Sequence, residues 1–292
     1  MRVLLVYTDD PGYQRTGYAE AWTRALEELG CEVERLPRMP AEWSVDPPAA
    51  NEWDLVIPHV LVEEVAAYAG TLKLAAMLEG LGAPLLNSTA CIVASSDKLV
   101  THAIWAAAGL SQPRAWDLSA LGSWPVDEGA PLVMKPAYCD GARHIGLVRS
   151  LDEARDVEAA WREDEARGGE VRGPAIVQDW VEEPKVVRIY ATPRSTSLAY
   201  EKARAAGAIV THGTVYPEIY EPPGDMADLA RRMVGTLGGG LMGIDILTDQ
   251  QGRHFALEAN APFGFDVTDP QQGRFVARVA VEVARWAAAP SA

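Results

Sequence analysis

The sequence has little cysteine, little lysine and no long apolar run. Its three cysteines have no spacing that fits a zinc site or a disulfide framework, so we expect free thiols. No stretch of about 18 or more apolar residues occurs, so no transmembrane helix is predicted. Basic residues number 26 against 41 acidic ones, and the net charge of −15 disfavours non-specific binding to nucleic acid or anionic lipid. We therefore expect neither a nucleic-acid nor a membrane partner.

The remaining composition is that of a folded globular protein. Hydrophobic residues make up 48% and charged residues 23% of the chain, which excludes disorder as the main state. Its length of 292 residues suggests about two domains, or one large α/β unit. The run Met1–Tyr7 leads directly into Asp9 and Asp10, without the long apolar region and cleavage site of a secretory signal. We expect a cytoplasmic protein whose first residues form a β-strand.

Apolar periodicity predicts an α/β fold for the first part of the chain. Strand-like and helix-like segments alternate there, with strands at 2–7, 31–36 and 53–60, a further short strand at 83–87, and helices near 19–29 and 61–78. This order predicts a parallel sheet. The later part has shorter strands, a helix start at Ser95–Asp97, where a polar side chain can cap the first amides, and a last helix over Gln271–Ala288.

The glycine-rich run Gly238–Gly243 formally matches a dinucleotide-binding fingerprint. That fingerprint must follow a strand and open a helix, whereas this run follows a predicted helix and precedes a predicted strand. We interpret it as a helix end followed by a turn. A Rossmann-type oxidoreductase, which the alternating N-terminal part would otherwise suggest, is therefore disfavoured.

The segments Gly243–Leu247 and Leu257–Asn260 predict an acidic hairpin. Asp245 is the lone charge in an apolar strand and should lie opposite the Leu257–Glu258 region. Residues two apart share a face, which places Glu258 with Asn260 and turns Phe255, Leu257 and Ala259 toward the core. Two carboxylates and an amide oxygen suit Mg²⁺ or Mn²⁺. The alternative is the exposed polar face of an amphipathic hairpin.

Lysine occurs only at five positions, 73, 98, 135, 185 and 202, so each position is informative. Lys135 ends the apolar strand 131–134 and precedes Pro136, which would hold its ammonium near the sheet edge as a point charge suited to phosphate. Lys98 lies in a first helical turn, where acids are normally favoured, and a bound anion would resolve that mismatch. The alternative for either lysine is a solvated surface side chain.

The order of these motifs resembles the ATP-grasp superfamily, and most closely the ribosomal-protein-S6-modifying and lysine-biosynthesis ligases, which are akin to glutathione synthetase. The matching segments span most of the chain: Ser96–Lys98, Val133–Pro136, Ile176–Val181, Val187–Tyr190, Tyr200–Arg204, Gly243–Asp245 and Glu258–Asn260. The resemblance implies a Rossmann-like pre-ATP-grasp α/β domain at 1–88. An ATP-grasp fold of two α+β subdomains would follow, at 89–180 and 181–292.

The resemblance also implies a role for each matching side chain. Lys98 and Lys135 would contact ATP phosphates, while Arg188 and Lys202 would stabilise the transferring phosphate. The adenine and ribose would meet Gln178, Asp179, Trp180, Val181 and Glu183. Asp245, Glu258 and Asn260 would hold two Mg²⁺ ions, or Mn²⁺. Two departures concern the loop Cys139–His144, where the family is richer in Gly and Ser, and the segment Ala261–Asp266, whose two phenylalanines suggest an altered substrate pocket.

The resemblance implies an ATP-dependent carboxylate–amine ligase. A small carboxylic or amino acid would be activated as an acyl phosphate and then attacked by an amine, with release of ADP and phosphate. Peptide bond formation, modification of a carrier protein and cyclisation of a small molecule all stay open, as does a homo-oligomer. The alternative is a non-catalytic ATP-binding regulatory protein on the same fold.

Overall fold

The computed structural model describes residues 1–7, 17–36, 43, 46, 48–49, 52–59, 65–138, 144–168, 173–182, 184–202 and 219–261. Its first part contains a parallel sheet of three strands in the order β2-β1-β3. The strands are β1 (Arg2–Tyr7), β2 (Glu32–Leu36) and β3 (Leu55–His59), and the helices are α1 (Gly17–Glu28) and α2 (Val65–Gly80). The predicted parallel pairing is confirmed.

Strand β1 is buried on both faces, as expected of the central strand of a parallel sheet. Val3 and Leu5 pack into one hydrophobic cluster, and Leu4 and Val6 pack into another. The period of two residues in a strand explains this division. The strand predicted near Ala83–Asn87 is reduced to a single parallel bridge between Val56 and Leu85.

The middle of the chain forms an antiparallel sheet in the order β4-β7-β5-β6. Its helices begin at capping residues: Ser88 accepts from the amide of Cys91, and Asp97 accepts from the amides of Leu99 and Val100. The helix start predicted at Ser95–Asp97 is therefore confirmed. The elements are α3 (Thr89–Ser96), α4 (Lys98–Ala107), β4 (Ala115–Asp117), β5 (Leu132–Pro136), β6 (Gly146–Val148), α5 (Leu151–Ala166) and β7 (Ala175–Asp179).

A second antiparallel sheet follows, in the order β10-β9-β8-β11-β12. Helix α6 packs its buried face on this sheet, and α4 joins the same core because the Trp105 indole donates a hydrogen bond to the carbonyl of Met233 at 3.2 Å. The elements are β8 (Lys185–Ala191), β9 (Thr196–Glu201), β10 (Ile219–Tyr220), α6 (Gly224–Thr236), β11 (Met242–Thr248) and β12 (His254–Asn260).

The glycine-rich run ends a helix, as predicted, and does not open one. Gly238 has φ +66°, the left-handed conformation typical of a residue that follows a helix, and the amide of Gly239 donates to the carbonyl of Val234 at 3.0 Å. Strand β11 begins shortly afterwards. The geometry that a dinucleotide fingerprint requires is therefore absent from residues 238–243.

Mixed α/β structure with antiparallel sheets is thus observed, together with a three-stranded parallel sheet. The short strands β4 and β10 were not predicted. The predicted helix over Gln271–Ala288 lies outside the described residues. Among the helices that the structure describes, none combines the length and the apolar character needed to cross a bilayer.

Candidate active site

Asp245 lies at the centre of the candidate site, on the middle of β11. Its neighbours on the flanking strands are Arg188 of β8 and Glu258 of β12, so the hairpin register predicted for Asp245 is confirmed. Both guanidinium nitrogens of Arg188 that face it donate to the Asp245 carboxylate, Nη2 to Oδ2 at 2.8 Å and Nε to Oδ1. The Lys202 ammonium donates to Oδ2 at 3.0 Å. One carboxylate therefore holds two cations.

These cations control the ionisation of Asp245. The side chain is only 1% exposed, and burial alone would raise its pKa. The positive charges of Arg188 and Lys202 outweigh that effect and lower the pKa of Asp245 to about 2. Burial would lower the pKa of Arg188, but the Asp245 charge raises it well above its usual value. The carboxylate is thus ionised throughout the neutral range.

Glu258 and Lys98 form a second ion pair beside Asp245. The Lys98 ammonium lies 3.2 Å from Oε1 of Glu258, and the amide of Lys98 donates to the carbonyl of Ala137, just after β5, at 3.1 Å. A lysine in the first turn of α4 is unfavourable next to the positive end of the helix dipole, and the carboxylate of Glu258 offsets this effect. Burial would raise the pKa of Glu258, but the charge of Lys98 helps to hold it below its ordinary value.

A β-bulge sets the face of each side chain in β12. The register shifts between Asp245, which pairs with Glu258, and Ile246, which pairs with Ala256, so Leu257 has no partner on β11. Ala256 and Ala259 are therefore the buried residues of the strand, and Phe255 and Leu257 are half-buried. The prediction that Phe255 and Leu257 point into the core was wrong, because strict alternation does not continue through a bulge.

The donor set is compatible with a hard divalent cation. Asp245 and Glu258 are paired carboxylates, and Asn260 lies two residues further along β12, with its Nδ2 3.3 Å from the carbonyl oxygen of Gly243. Few protein oxygens, completed by water and phosphate, are the usual environment of Mg²⁺. In the described part of the chain, no group of three or more His, Cys, Asp or Glu side chains is placed to hold a metal. A metal site at this hairpin would thus need the Asn260 amide oxygen and the oxygens of a bound phosphate in addition to the two carboxylates.

Lys135 begins a buried polar network. Its ammonium donates to Oε1 of Gln178 at 2.7 Å, and Nε2 of Gln178 lies 2.9 Å from Nε2 of His102. Nδ1 of His102 lies 2.7 Å from Oε1 of Gln112, whose Nε2 donates to the carbonyl of His102 at 2.7 Å. Burial, chiefly, lowers the pKa of Lys135 to about 8 and that of His102 to about 4. Lys135 and Gln178 are site residues predicted from the sequence, whereas His102 and Gln112 were not predicted.

The other predicted nucleotide residues lie at the end of β7. The Asp179 carboxylate binds Arg114 in a bidentate pair, with Nε donating to Oδ2 at 2.8 Å and Nη2 donating to Oδ1 at 3.0 Å. It also accepts from the amide of Arg114 at 3.0 Å. Trp180 and Val181 follow and are half-buried. Glu183 lies outside the described residues, as do positions 139–143 of the loop and positions 262–266.

The structure therefore brings most of the predicted site residues together. Around Asp245 and Glu258 it places four cations: Lys98, Lys135, Arg188 and Lys202. Three of them, all but Lys135, lie within 3.2 Å of a carboxylate oxygen. Four positive charges against two negative ones leave two positive charges in a protein whose net charge is −15. Such a cluster is suited to a polyanion.

No family model matches this sequence, and no curated protein sequence matches it. Solved structures do resemble it in fold. The D-alanine–D-alanine ligase from Bacillus anthracis complexed with ATP has a TM-score of 0.69 at 14% identity, covering 98% of this chain and 97% of that one. The ATP-grasp ligase PsnB complexed with a minimal precursor has a TM-score of 0.64 at 16% identity, covering 96% and 98%.

A further structure of PsnB, complexed with minimal precursor, Mg and ADP, has a TM-score of 0.64 at 17% identity and covers 98% of both chains. These matches extend over nearly the whole of each chain, so they include all three sheets described above. The chain has the fold of the ATP-grasp ligases.

Proposed function

We propose that the protein is an ATP-dependent carboxylate–amine ligase. The observation that carries this proposal is the cluster of four cations around two ionised carboxylates, within a strongly acidic chain. The phosphates of a polyphosphate would contact the cations of this cluster, and its divalent cations would contact the carboxylates. For an anion bound alone, the negative charges of Asp245 and Glu258 would weaken the attraction of the cations.

In the proposed reaction, an oxygen of the substrate carboxylate attacks the γ-phosphorus of ATP and the bond to the β-phosphate oxygen breaks. The products are an acyl phosphate and ADP. An amine then attacks the acyl carbon, phosphate leaves and the amine gives up a proton. Positioning and charge neutralisation supply most of the catalysis in such transfers.

Each cation of the cluster has a proposed task. Lys98 and Lys135 hold the phosphates of ATP, and Arg188 and Lys202 stabilise the phosphate in transfer. Asp245, Glu258 and Asn260 would hold Mg²⁺ or Mn²⁺, which neutralises charge that develops on phosphate oxygens. Arg188 and Lys202 already lie against Asp245, so they are close to the place where that charge would develop.

The nucleotide base is proposed to lie along the end of β7, near Gln178 and the backbone of Trp180 and Val181. The Asp179 side chain is engaged by Arg114, which favours a supporting role for it at this edge. Glu183 stays a proposed ribose contact. We also propose the division into a Rossmann-like domain at 1–88 and subdomains at 89–180 and 181–292.

The acid and amine belong to one of two classes suggested by the similar structures. One of these is a D-alanine–D-alanine ligase, and PsnB is complexed with a precursor and, in another structure, with the precursor peptide PsnA2. We therefore propose either small amino acids or the carboxylates and amines of a peptide. An assay should contain both classes.

Phosphate release tests the proposal. The wild type, with ATP and Mg²⁺, is screened against amino acids and peptides, and product is identified by mass. We expect Lys135→Ala to lower turnover at least about 100-fold, because loss of one charge-stabilising donor in an active site costs about that much. Lys73→Ala is the matched control, since Lys73 is exposed on α2 and should not affect turnover.

Two outcomes would contradict the proposed ligase activity. Wild-type turnover in Lys135→Ala would remove this lysine from the reaction. ATP binding by the wild type without phosphate release, with every acid and amine supplied, would favour the non-catalytic ATP-binding protein.

A further inference from the structure

A continuous chain of hydrogen bonds connects the candidate phosphate site to helix α4. It consists of Lys135, Gln178, His102 and Gln112, and we call it the His102 relay. Three of its side chains are almost fully buried: Lys135 is 6%, His102 3% and Gln178 2% exposed. Four bonds of 2.7–2.9 Å join its members, so each polar atom in the relay must match its neighbour in donor or acceptor character.

The two ends of the relay determine the direction of every bond. A lysine ammonium can only donate, so Oε1 of Gln178 accepts and its Nε2 donates to His102. At the other end, the carbonyl of His102 can only accept, so Nε2 of Gln112 donates to it and Oε1 of Gln112 faces Nδ1 of His102. Both ends therefore require the same histidine tautomer, with the proton on Nδ1 and a lone pair on Nε2.

A proton added to Nε2 of His102 would be incompatible with the hydrogen bond from Gln178. Two N–H groups would then face each other between His102 and Gln178, and the Gln178 amide could relieve that only by turning its NH₂ group toward the Lys135 ammonium. The charged groups that face His102 are Lys135 and Lys98, which oppose its protonation, and Glu258, which favours it. Burial and the nearby lysines thus keep the ring neutral.

We propose that His102 is a positioning residue of the nucleotide site: as the neutral Nδ1–H tautomer it fixes the Gln178 amide so that its oxygen anchors the Lys135 ammonium. This inference rests on the proposed role of Lys135 in binding ATP phosphates. Without the lone pair on His102, the Gln178 amide can rotate, and in one of its two orientations it presents N–H groups to the ammonium. Lys135 would then lose the hydrogen bond that holds its ammonium against the neighbouring strand β7.

The first test measures ATP affinity by calorimetry for the wild type, His102→Leu and His102→Gln. Leucine removes the acceptor, and we expect the Kd for ATP to rise about tenfold, the effect of losing roughly one well-placed hydrogen bond. Glutamine restores an acceptor oxygen for Nε2 of Gln178, so its Kd should stay within about threefold of the wild type. Equal Kd values for wild type and His102→Leu, with both variants folded by circular dichroism, would overturn the proposal.

The second test reads the tautomer directly, without nucleotide. Nitrogen-15 NMR of the five histidines, with His102 assigned by the loss of its signals in His102→Gln, should show protonated Nδ1 and unprotonated Nε2. In Gln178→Glu the carboxylate accepts from Nε2–H, so the pKa of His102 should rise by about one to three units. A His102 with the proton on Nε2 in the wild type would overturn the proposal even if ATP binds. Failure of the wild type to bind ATP would instead overturn the proposed function, while the tautomer result still stands.

Discussion

Asp245 and Glu258 are neighbours on paired strands, but they differ in solvent exposure and in the cations with which they pair. Asp245 is 1% exposed and forms ion pairs with both Arg188 and Lys202, whereas the Glu258 side chain is 26% exposed and forms its ion pair with Lys98. Removing one member of a buried ion pair leaves an uncompensated charge and costs about 3–5 kcal/mol. A partly exposed pair costs far less, because solvent screens the charge that remains.

This difference predicts that two isosteric substitutions affect different properties: one lowers stability and the other lowers turnover. Asp245→Asn should lower the free energy of unfolding by about 3 kcal/mol, because Arg188 and Lys202 lose the buried anion with which both are paired. Glu258→Gln should leave stability within about 1 kcal/mol. Its turnover should fall about 100-fold or more, with little change in ATP affinity, since changes to groups that merely support metal ligands already cost 10–100-fold.

Urea unfolding and phosphate release, measured over a range of Mg²⁺ concentration, check both substitutions. The metal assignment is wrong if Glu258→Gln keeps wild-type turnover with unchanged Mg²⁺ dependence. Glu258 would then be the polar edge of a hairpin, which is the alternative interpretation of the sequence.

His102 predicts how stability depends on pH. Its pKa is about 4 in the folded protein, against an ordinary value of 6.5, because burial disfavours the charged ring. The unfolded chain therefore binds a proton that the folded protein does not bind between these values, and the free energy of unfolding falls as the pH drops from about 6.5 to about 4. Above about 6.5 the contribution is fully present. Over this window His102 should account for about 3 kcal/mol.

Denaturant unfolding at intervals from pH 7 to pH 4 measures this contribution. His102→Gln cannot take up the proton, so its stability should fall less steeply than that of the wild type by about one proton per molecule. Parallel curves for the two proteins would mean that His102 titrates alike in the folded and unfolded states.

Residues with a local signal could be predicted, and residues defined by distant partners could not. Asp245 stood out as the one charge in an apolar strand, and Lys135 as a lysine that ends an apolar strand before a proline. His102 gave no such signal, because its partner Gln178 is 76 positions away and becomes its neighbour only when β7 packs against α4. The Arg114 pair of Asp179, 65 positions apart, was missed for the same reason.

At the scale of elements, the sequence predicts the positions where helices begin better than it predicts irregular strands. Asp97, in the predicted start Ser95–Asp97, has a side chain that accepts from orphan amides, and it does precede a helix. The bulge opposite Asp245 has no comparable marker, because neither Leu257 nor its neighbours are glycines. It changes which residues of β12 are buried, so the period of two that placed Glu258 correctly placed Leu257 wrongly.

The missed strands have a different cause. β4 has three residues and β10 has two, which is too short for an apolar period to appear. Each is an edge strand that pairs on one side only, β4 with β7 and β10 with β9, within the sheets that the structure describes. Pairing with a longer neighbour, and not the local sequence, defines these elements. Predictions from pattern are therefore strongest for the longer strands, such as β11, which carries Asp245.

At the scale of the whole molecule, the parallel sheet and the second antiparallel sheet share one core. Val3, Leu5 and Leu86 of the N-terminal part belong to the same hydrophobic cluster as Tyr190 and Leu241. Asn87 adds a polar connection at this junction. Its Oδ1 accepts from the amides of Gly240 and Leu241 at 2.7 Å and 3.0 Å, and its Nδ2 donates to the carbonyl of Leu241 at 2.8 Å.

Through these hydrogen bonds, the backbone just before β11 is paired with a side chain about 150 positions earlier in the sequence. Asn87 is 5% exposed, so water cannot readily replace its side chain. Each buried backbone group left without a partner costs about 1–3 kcal/mol. The start of β11, and with it the placement of Asp245, therefore depends on a residue that belongs to the N-terminal part of the chain.

We predict that Asn87→Ala lowers the free energy of unfolding by about 3 kcal/mol or more, because three buried backbone groups lose their partner. Since the two sheets share a core, hydrogen exchange should accelerate together in β1 and in β11. Ser88→Ala is the matched control at the next position: its hydroxyl caps α3, so it should cost about 1 kcal/mol and accelerate exchange in that helix alone. Faster exchange in β11 with an unchanged β1 would show that the two sheets open independently, and that the N-terminal part does not support the candidate site.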